Sequence, residues 1–357
     1  MESTFPSSSE LPENQPQPAT EPAAVTPPAP EAAPVTPFAP RTDLSHLSRH
    51  ADAIRQELGK VIVGQQALAE LLLVALLADG HVLLEGVPGV AKTLTAKLLA
   101  RTLSVPFSRL QFTPDLMPSD VLGTSVFRPN KAEFEFRPGP IFASVVLIDE
   151  INRAPAKTQS ALFEVMEERQ VTQDGTRYAM PAPFVVLATQ NPIEQEGTYR
   201  LPEAQLDRFL FKLTVGYPSV DEEVAILQGH HAGFGGTPLE AVRAVVSAED
   251  LQQLREQVRR QHVEPKLLEY IARLVGQTRA HKGLYLGASP RASLALLNGA
   301  KALAALRGRD FVTPEDVQYL APMVLRHRIQ LTPEREMEGG TPDDVVKQIL
   351  QQIEVPR

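Results

Sequence analysis

Short continuous runs of apolar residues recur between residues 82 and 215. The clearest lie at residues 82–84, 145–148 and 184–187, with further candidates at 107–112 and 209–215. Runs of this length are typical of strands buried on both faces. Apolar residues at helical spacing occupy 44–58 and 65–77, and helical stretches separate the strands. This alternation predicts an α/β fold, with a parallel sheet covered by helices on both sides.

The sequence turns helical after about Pro218. Two capping boxes, Ser247 with Asp250 and Thr313 with Asp316, mark the starts of helices, and the second has proline at its first helical position. The pattern predicts that an all-helical lid domain follows the sheet domain. The expected organisation is a tail at 1–40, an α/β nucleotide-binding domain at 41–218, and a lid with a C-terminal helix at 219–357.

The first 40 residues are rich in proline, alanine and glutamate and contain neither lysine nor arginine. Such a segment has little apolar surface to offset its ordering entropy, so it is predicted to be a disordered tail. Its glutamates also account for most of the net charge of −8. The nearly neutral remainder argues against a basic surface for nucleic acid, and no nucleic-acid partner is expected.

The chain contains no cysteine, which excludes disulfides and cysteine catalysis. A basic, apolar leader is absent from the start, so the expected location is the cytoplasm. The longest apolar run, residues 71–78, is far shorter than a bilayer requires, and no membrane span is expected.

A phosphate-binding pattern follows the first predicted strand. A strand, a glycine turn, Lys92-Thr93 and a helix occur in that order, as required for backbone N–H groups, a lysine and a hydroxyl to surround a phosphate chain and its Mg²⁺. An ordinary strand–turn–helix with a surface lysine would have the same outline. The nucleotide-binding residues predicted here are Gly86, Val87, Pro88, Gly89, Val90, Ala91, Lys92, Thr93 and Leu94.

Polar residues end the next two buried strands. Asp149 is assigned to Mg²⁺ together with Thr93, and the adjacent Glu150 to the attacking water. Asn191, after the third strand, could position the same water, although Asn-Pro by itself also reads as a turn. Together with the loop, these residues favour nucleotide hydrolysis with ATP and Mg²⁺ as cofactors.

The chain resembles the AAA+ superfamily and, within it, the MoxR family, from about residue 46 to 331. The segments that carry the resemblance are GVPGVAKT, LIDEINRAPAKTQSALFEVMEERQVT, ATQNPIEQEGTYRLPEAQLDRF and GASPRA. In that family alanine precedes the P-loop lysine, so Ala91 fits the pattern.

The resemblance implies further roles. Asn191 would be the sensor-1 residue, Arg208 an arginine finger that reaches a neighbouring subunit, and Arg291 the sensor-2 residue that the lid brings over the phosphates. Val63 and Gly64 would line the adenine. Arg208 could instead cap its helix, Arg291 could be an exposed cation, and Gly64 a plain turn.

Two further segments fit the same family. Residues 117–140 carry an acidic, aromatic stretch where related ATPases have a substrate-facing insert, and residues 171–178 alternate around Asp174-Gly175, which predicts a hairpin. Both segments could also be surface insertions without a functional role.

The resemblance implies a hexameric ring that hydrolyses ATP to remodel or mature partner proteins, with von Willebrand A domain proteins as the implied clients. Alternatives are a nucleic-acid-translocating motor, a slow nucleotide-gated scaffold, and a small-molecule P-loop kinase.

Overall fold

A five-stranded parallel sheet forms the centre of the first part of the chain, in the strand order β10-β1-β9-β6-β3. The computed structural model describes residues 43–87, 92–191, 198–231 and 239–356, apart from the side chain of His230. The predicted tail at 1–40 lies outside these ranges. The parallel α/β architecture agrees with the sequence-based prediction.

The strand bounds follow the apolar runs closely. The central strands are β1 His81–Gly86, β3 Phe107–Gln111, β6 Val145–Asp149, β9 Val185–Gln190 and β10 Phe209–Val215. The remaining strands are β2 Leu103–Ser104, β4 Gly123–Arg128, β5 Glu133–Pro138, β7 Gln170–Gln173, β8 Thr176–Ala179, β11 Val246–Ser247, β12 Leu284–Leu286 and β13 Gln330–Leu331. All five predicted central strands are therefore present.

Helices surround the sheet and continue beyond it. Those up to β10 are α1 Ser45–Gly59, α2 Gln66–Leu77, α3 Lys92–Thr102, α4 Pro118–Leu122, α5 Ala156–Glu168 and α6 Glu203–Leu206, with a 3₁₀ turn at Ile151–Arg153. Those after it are α7 Val220–His231, α8 Ala248–Arg259, α9 Pro265–Ala280, α10 Pro290–Leu306, α11 Pro314–Leu325, α12 Pro333–Met337 and α13 Pro342–Gln352.

Alternating side chains of the central strands enter two hydrophobic cores. In β6, Val145 and Leu147 pack into the core that also contains α1, α2 and the lid helices. Val146 and Ile148 pack into the second core, with Leu162 and Phe163 of α5. Because successive strand residues face opposite sides, a continuous apolar run is what a sheet covered on both faces requires.

The lid is helical, as predicted, and the strands in its described part, β11, β12 and β13, are two or three residues long. Ser247 caps α8 and accepts a hydrogen bond from Asp250 N at 3.1 Å, and the Thr313–Asp316 box caps α11. The domain boundary predicted at residue 218 falls between β10 and α7 and remains a prediction.

Two antiparallel hairpins project from the sheet domain. β4 pairs with β5 within the predicted insert, and β7 pairs with β8 around Asp174-Gly175, both with positive φ. Phe136 of the first hairpin stacks on Tyr178 of the second, with ring centroids 4.2 Å apart. Within the described ranges, no helix combines the length and apolarity needed to cross a membrane.

His81 is a buried polar residue at the start of β1. Its Nδ1 accepts a hydrogen bond from Val186 N at 2.9 Å, and its Nε2 lies 3.2 Å from the carbonyl oxygen of Met166. Nε2 therefore carries the proton in the neutral ring and donates to α5. Burial, assisted by the positive charge of Arg169, lowers the pKa of His81 from 6.5 to about 4.

We predict that the free energy of unfolding decreases as the pH falls from about 6.5 to 4. Between these values the unfolded chain binds a proton at His81 and the folded chain does not, so acid favours unfolding, by about 2 kcal/mol at pH 5. Urea unfolding at pH 7 and pH 5 measures the difference.

His81→Gln, which cannot titrate, should lose less stability between the two pH values than the wild type. The exposed His262 provides the control, because His262→Gln should retain the wild-type difference. His327 is also buried, and its pKa is lowered by burial as well, so some pH dependence should persist in His81→Gln. An identical pH difference in the wild type and His81→Gln would contradict the assignment.

Candidate functional site

The carboxyl end of the sheet holds a hydroxyl and a carboxylate in direct contact. Thr93, in the first turn of α3, donates from Oγ1 to Asp149 Oδ1 at 2.9 Å, and Asp149 is the last residue of β6. A serine or threonine hydroxyl beside a carboxylate offers the oxygen ligands that Mg²⁺ prefers. These two residues would hold the ion, and their donor set fits it.

Lys92 lies beside this pair. Its Nζ donates to the carbonyl oxygen of Gln190 at 3.2 Å and also to that of Gly86. The lysine thus lies between the ends of β1 and β9, where it can meet an anion bound at the start of α3. Gly86 must be glycine, because a Cβ there would lie 2.4 Å from Val215 O.

Glu150 follows Asp149 but has a different backbone conformation. Its φ of 57° lies in the left-handed region, its N–H donates to Thr189 Oγ1 at 3.1 Å, and its carboxylate pairs with Arg153 Nε at 2.7 Å. Asn191 is buried directly after β9. The carboxyl ends of β1, β6 and β9 therefore bring Lys92, Asp149, Glu150 and Asn191 to the same end of the sheet.

The remaining nucleotide-binding candidates are only partly described. Pro88, Gly89, Val90 and Ala91 lie outside the described residues. Val87 and Leu94 flank them and pack partly buried against the larger core.

The residues assigned to adenine lie in the loop between α1 and α2. Val63 is half-buried, and Gly64 has a φ of 68° that favours glycine. A Cβ on Gly64 would also collide with the carboxylate of Glu222 in α7.

The two predicted arginines lie elsewhere. Arg208 immediately precedes β10 and lies at the amino-terminal end of the strands. Phe209, at the start of β10, pairs with His81 at the start of β1, and Val215 pairs with Gly86 at the other end. β1 rises about 3.4 Å per residue, so its amino-terminal end at His81 lies roughly 17 Å from Gly86, where the P-loop begins. Arg208 is therefore outside the reach of its own P-loop.

Arg291 lies next to Arg208. It pairs with both carboxylate oxygens of Glu167, at 2.6 and 3.0 Å, while Arg208 Nε lies 3.4 Å from the same group. In this structure Arg291 lies away from the P-loop of its own chain, and its expected role over the phosphates stays a prediction. Arg291 lies there because the start of α10 packs at the amino-terminal end of the strands.

A buried ion pair fixes the segment that carries Arg208. Asp207 accepts from Ser289 Oγ at 2.7 Å and from Arg328 Nε at 2.7 Å, and Arg328 also donates to the Asp207 carbonyl at 2.9 Å. Ser289 is the N-cap of α10, which begins with Pro290 and Arg291. The same network thus positions both arginines.

Several of these partners were not predicted from the sequence. Arg109 of β3 donates from Nε to Asp149 Oδ2 at 2.7 Å, and Thr189 donates to Asp149 Oδ1 at 3.3 Å. Thr189 follows an apolar run and could have been noticed as a polar strand end. Arg109, Glu167 and Arg328 carry no local signal, because their partners are distant in sequence.

The matches to family models agree with this architecture. Residues 81–211 match the model described as an ATPase family associated with various cellular activities (AAA), and residues 276–349 match an AAA lid domain.

Similar proteins cover most of the chain. "Chaperone MoxR1" of Mycobacterium tuberculosis is 49% identical over 84% of this chain and 81% of its own length. "Protein MoxR" of Paracoccus denitrificans is 33% identical over 78% and 88%, respectively. A crystal structure of a candidate ATPase from Cytophaga hutchinsonii is 41% identical, with a TM-score of 0.80 over 87% of this chain and 97% of that one. The chain belongs to the MoxR family of AAA+ ATPases.

Proposed function

We propose that this protein hydrolyses ATP with Mg²⁺ and, as a ring of identical subunits in the cytoplasm, uses the energy to remodel partner proteins. The observation that carries the hydrolytic part is the Thr93–Asp149 contact beside Lys92 at one edge of the sheet. A phosphate chain and its cation need this combination of an ammonium, a hydroxyl and a carboxylate.

Each residue of this edge has a separate task. Lys92 binds the terminal phosphates, and Thr93 and Asp149 hold Mg²⁺, which neutralises charge on the phosphates. Thr189 and Arg109 hold the Asp149 carboxylate in place from two sides, at 3.3 and 2.7 Å. An acid anchored in this way cannot also serve as a mobile base.

Glu150 is the better candidate for orienting water. Its backbone leaves the extended conformation of the strand, with a φ of 57°, and its carboxylate pairs with Arg153 Nε at 2.7 Å. Asn191 would align the same water from the neighbouring strand end.

Arg208 and Arg291 complete the site of the next subunit. Both lie at the edge of the sheet opposite their own P-loop, and both share one carboxylate, Glu167. An incoming γ-phosphate can replace that carboxylate as the partner of the two guanidinium groups. The arrangement supports a closed ring, which we take to be a hexamer.

The client is proposed to be a protein with a von Willebrand A domain. The relative from Mycobacterium tuberculosis is named as a chaperone, which supports a protein client. On this chain, the β4–β5 hairpin exposes the neighbouring rings of Phe127 and Phe134, with exposed fractions of 49% and 73% and centroids 5.3 Å apart. An exposed aromatic pair of this kind is a contact site for another protein.

Lys92→Ala should weaken ATP binding, whereas Glu150→Gln should retain binding and lose most hydrolysis, because the lysine holds phosphate and the glutamate orients water. Binding is measured with a fluorescent ATP analogue, and turnover by phosphate release without any acceptor. Lys97→Ala and Glu164→Gln, from α3 and α5, are the matched controls. Equal loss of affinity in Lys92→Ala and Glu150→Gln would contradict this division of roles.

Arg208→Ala should bind ATP normally and hydrolyse it slowly, since an arginine that stabilises the transferring phosphoryl group contributes about 10³–10⁵ in rate in related chemistry. Mixing Arg208→Ala with Lys92→Ala should restore part of the phosphate release, because some interfaces then combine an intact P-loop with an intact arginine. Arg200→Ala, whose side chain is 87% exposed, is the control.

Full turnover by Arg208→Ala alone would remove the arginine from the mechanism. If the mixture exchanges subunits, as seen by fluorescence energy transfer, but stays inactive, a role in the neighbouring site is not supported.

A recombinant von Willebrand A domain protein from the same cell should be retained on Glu150→Gln in the presence of ATP, and not on Lys92→Ala. Phe134→Ser should lose this retention but keep basal ATP hydrolysis, because the ring is exposed on the β4–β5 hairpin and is not one of the residues assigned to the nucleotide site. Retention of nucleic acid in place of the protein would overturn the remodelling function.

A further inference from the structure

Two imidazoles and a carboxylate meet where α1 contacts the lid. His46 and His50 lie one turn apart on α1, with their Nε2 atoms 3.0 Å from each other. Asp250, in the first turn of α8, completes the group, and one ligand atom from each residue lies within 4.8 Å of the others. All three side chains are half-buried. None of them takes part in the nucleotide site.

The packing of α1 explains why the imidazoles face this way. Leu47, Ala51 and Ile54 form the buried stripe of α1. His46 and His50 flank this stripe on one side. Further along the helix, Glu57 accepts a hydrogen bond from Arg243 N at 2.9 Å. This side of α1 therefore lies along the segment that leads into α8.

The carboxylate is also held in place. Asp250 belongs to the capping box of α8, in which its Oδ2 accepts from Ser247 N at 3.1 Å and from Ser247 Oγ at 2.9 Å. The cap does not use Oδ1. A ligand oxygen on an anchored carboxylate loses little conformational freedom when it binds an ion.

We propose that His46, His50 and Asp250 bind one Zn²⁺ ion, with water as the fourth ligand. Zinc takes imidazole nitrogen at about 2.0–2.1 Å in tetrahedral geometry, which separates two such nitrogens by about 3.4 Å. The observed 3.0 Å needs only a small side-chain adjustment. Mg²⁺ and Ca²⁺ do not suit the site because they prefer oxygen ligands.

Binding would link α1, next to the sheet domain, to α8 of the lid. An ion that binds the folded chain in preference to the unfolded one stabilises it by mass action. Zinc should therefore strengthen this particular contact, independently of any nucleotide.

Isothermal titration of the metal-free, full-length protein with ZnCl₂ tests the site directly. We expect one high-affinity site per chain. The affinity for zinc should fall by roughly tenfold or more in each of His46→Ala, His50→Ala and Asp250→Asn. Asp250→Asn retains an oxygen for the cap. The matched control is His262→Ala, because His262 pairs with Glu264 at 2.8 Å on the surface and has no second imidazole there. It should bind zinc as the wild type does.

Two further measurements separate a built site from surface binding. Zinc should raise the melting temperature of the wild type and of His262→Ala but not of His50→Ala, and Co²⁺ should give the visible absorption of a tetrahedral complex only when both histidines are present. If zinc binds equally well to His46→Ala and His50→Ala, or does not bind the folded wild type, the proposal is overturned. Binding abolished by His231→Ala instead would assign the ion to the adjacent His230-His231 pair and would overturn it equally.

Discussion

The hydrogen bonds that converge on Asp149 connect the parts of the nucleotide site. Thr93 of α3, Thr189 of β9 and Arg109 of β3 all donate to its two carboxylate oxygens. The donors come from elements on both sides of β6, and only a parallel sheet brings the ends of these elements to one edge. A carboxylate that such donors hold in place offers fixed oxygen ligands, which a divalent cation requires. The strand order and the cation site are therefore parts of one arrangement.

Glu150 shows how two adjacent acids can have different tasks. A left-handed backbone at a non-glycine residue costs on the order of 1–2 kcal/mol. Here the hydrogen bond from Glu150 N to Thr189 Oγ1 and the ion pair with Arg153 offset that cost. The two carboxylates have different partners, because Asp149 accepts from Thr93, Thr189 and Arg109 whereas Glu150 pairs with Arg153. Strain of this kind is typical of positions where geometry matters more than stability.

The strands of the sheet could be predicted from the sequence, but the side-chain contacts that connect the sheet to the lid could not. Runs buried on both faces are a local signal, and the five central strands lie where the runs predict. The prediction of Lys92, Thr93 and Asp149 also rested on local signals, because Lys92 and Thr93 begin α3 and Asp149 ends β6. The partners of Arg291 were not, since Glu167 is 124 residues away along the chain. Hydrophobic periodicity carries no information about a contact between residues so far apart in sequence, so the pairing of Arg291 with Glu167 could not be predicted.

At the amino-terminal end of the sheet strands an arginine is buried, which costs desolvation free energy. Arg328 is buried, and its burial lowers the pKa of the guanidinium group, although Asp207 opposes that shift. Buried ion pairs of this kind contribute little net stability, but they fix geometry when every donor is satisfied. Arg328 donates to Asp207 and to the carbonyl oxygens of Leu210 and Val324, so the end of α11 cannot move without the segment before β10. That segment carries Arg208, and the same aspartate holds the start of α10 that carries Arg291. The hydrogen bonds of Asp207 therefore connect the lid to both arginines, so under the proposed function a movement of the lid would reach the two arginines together.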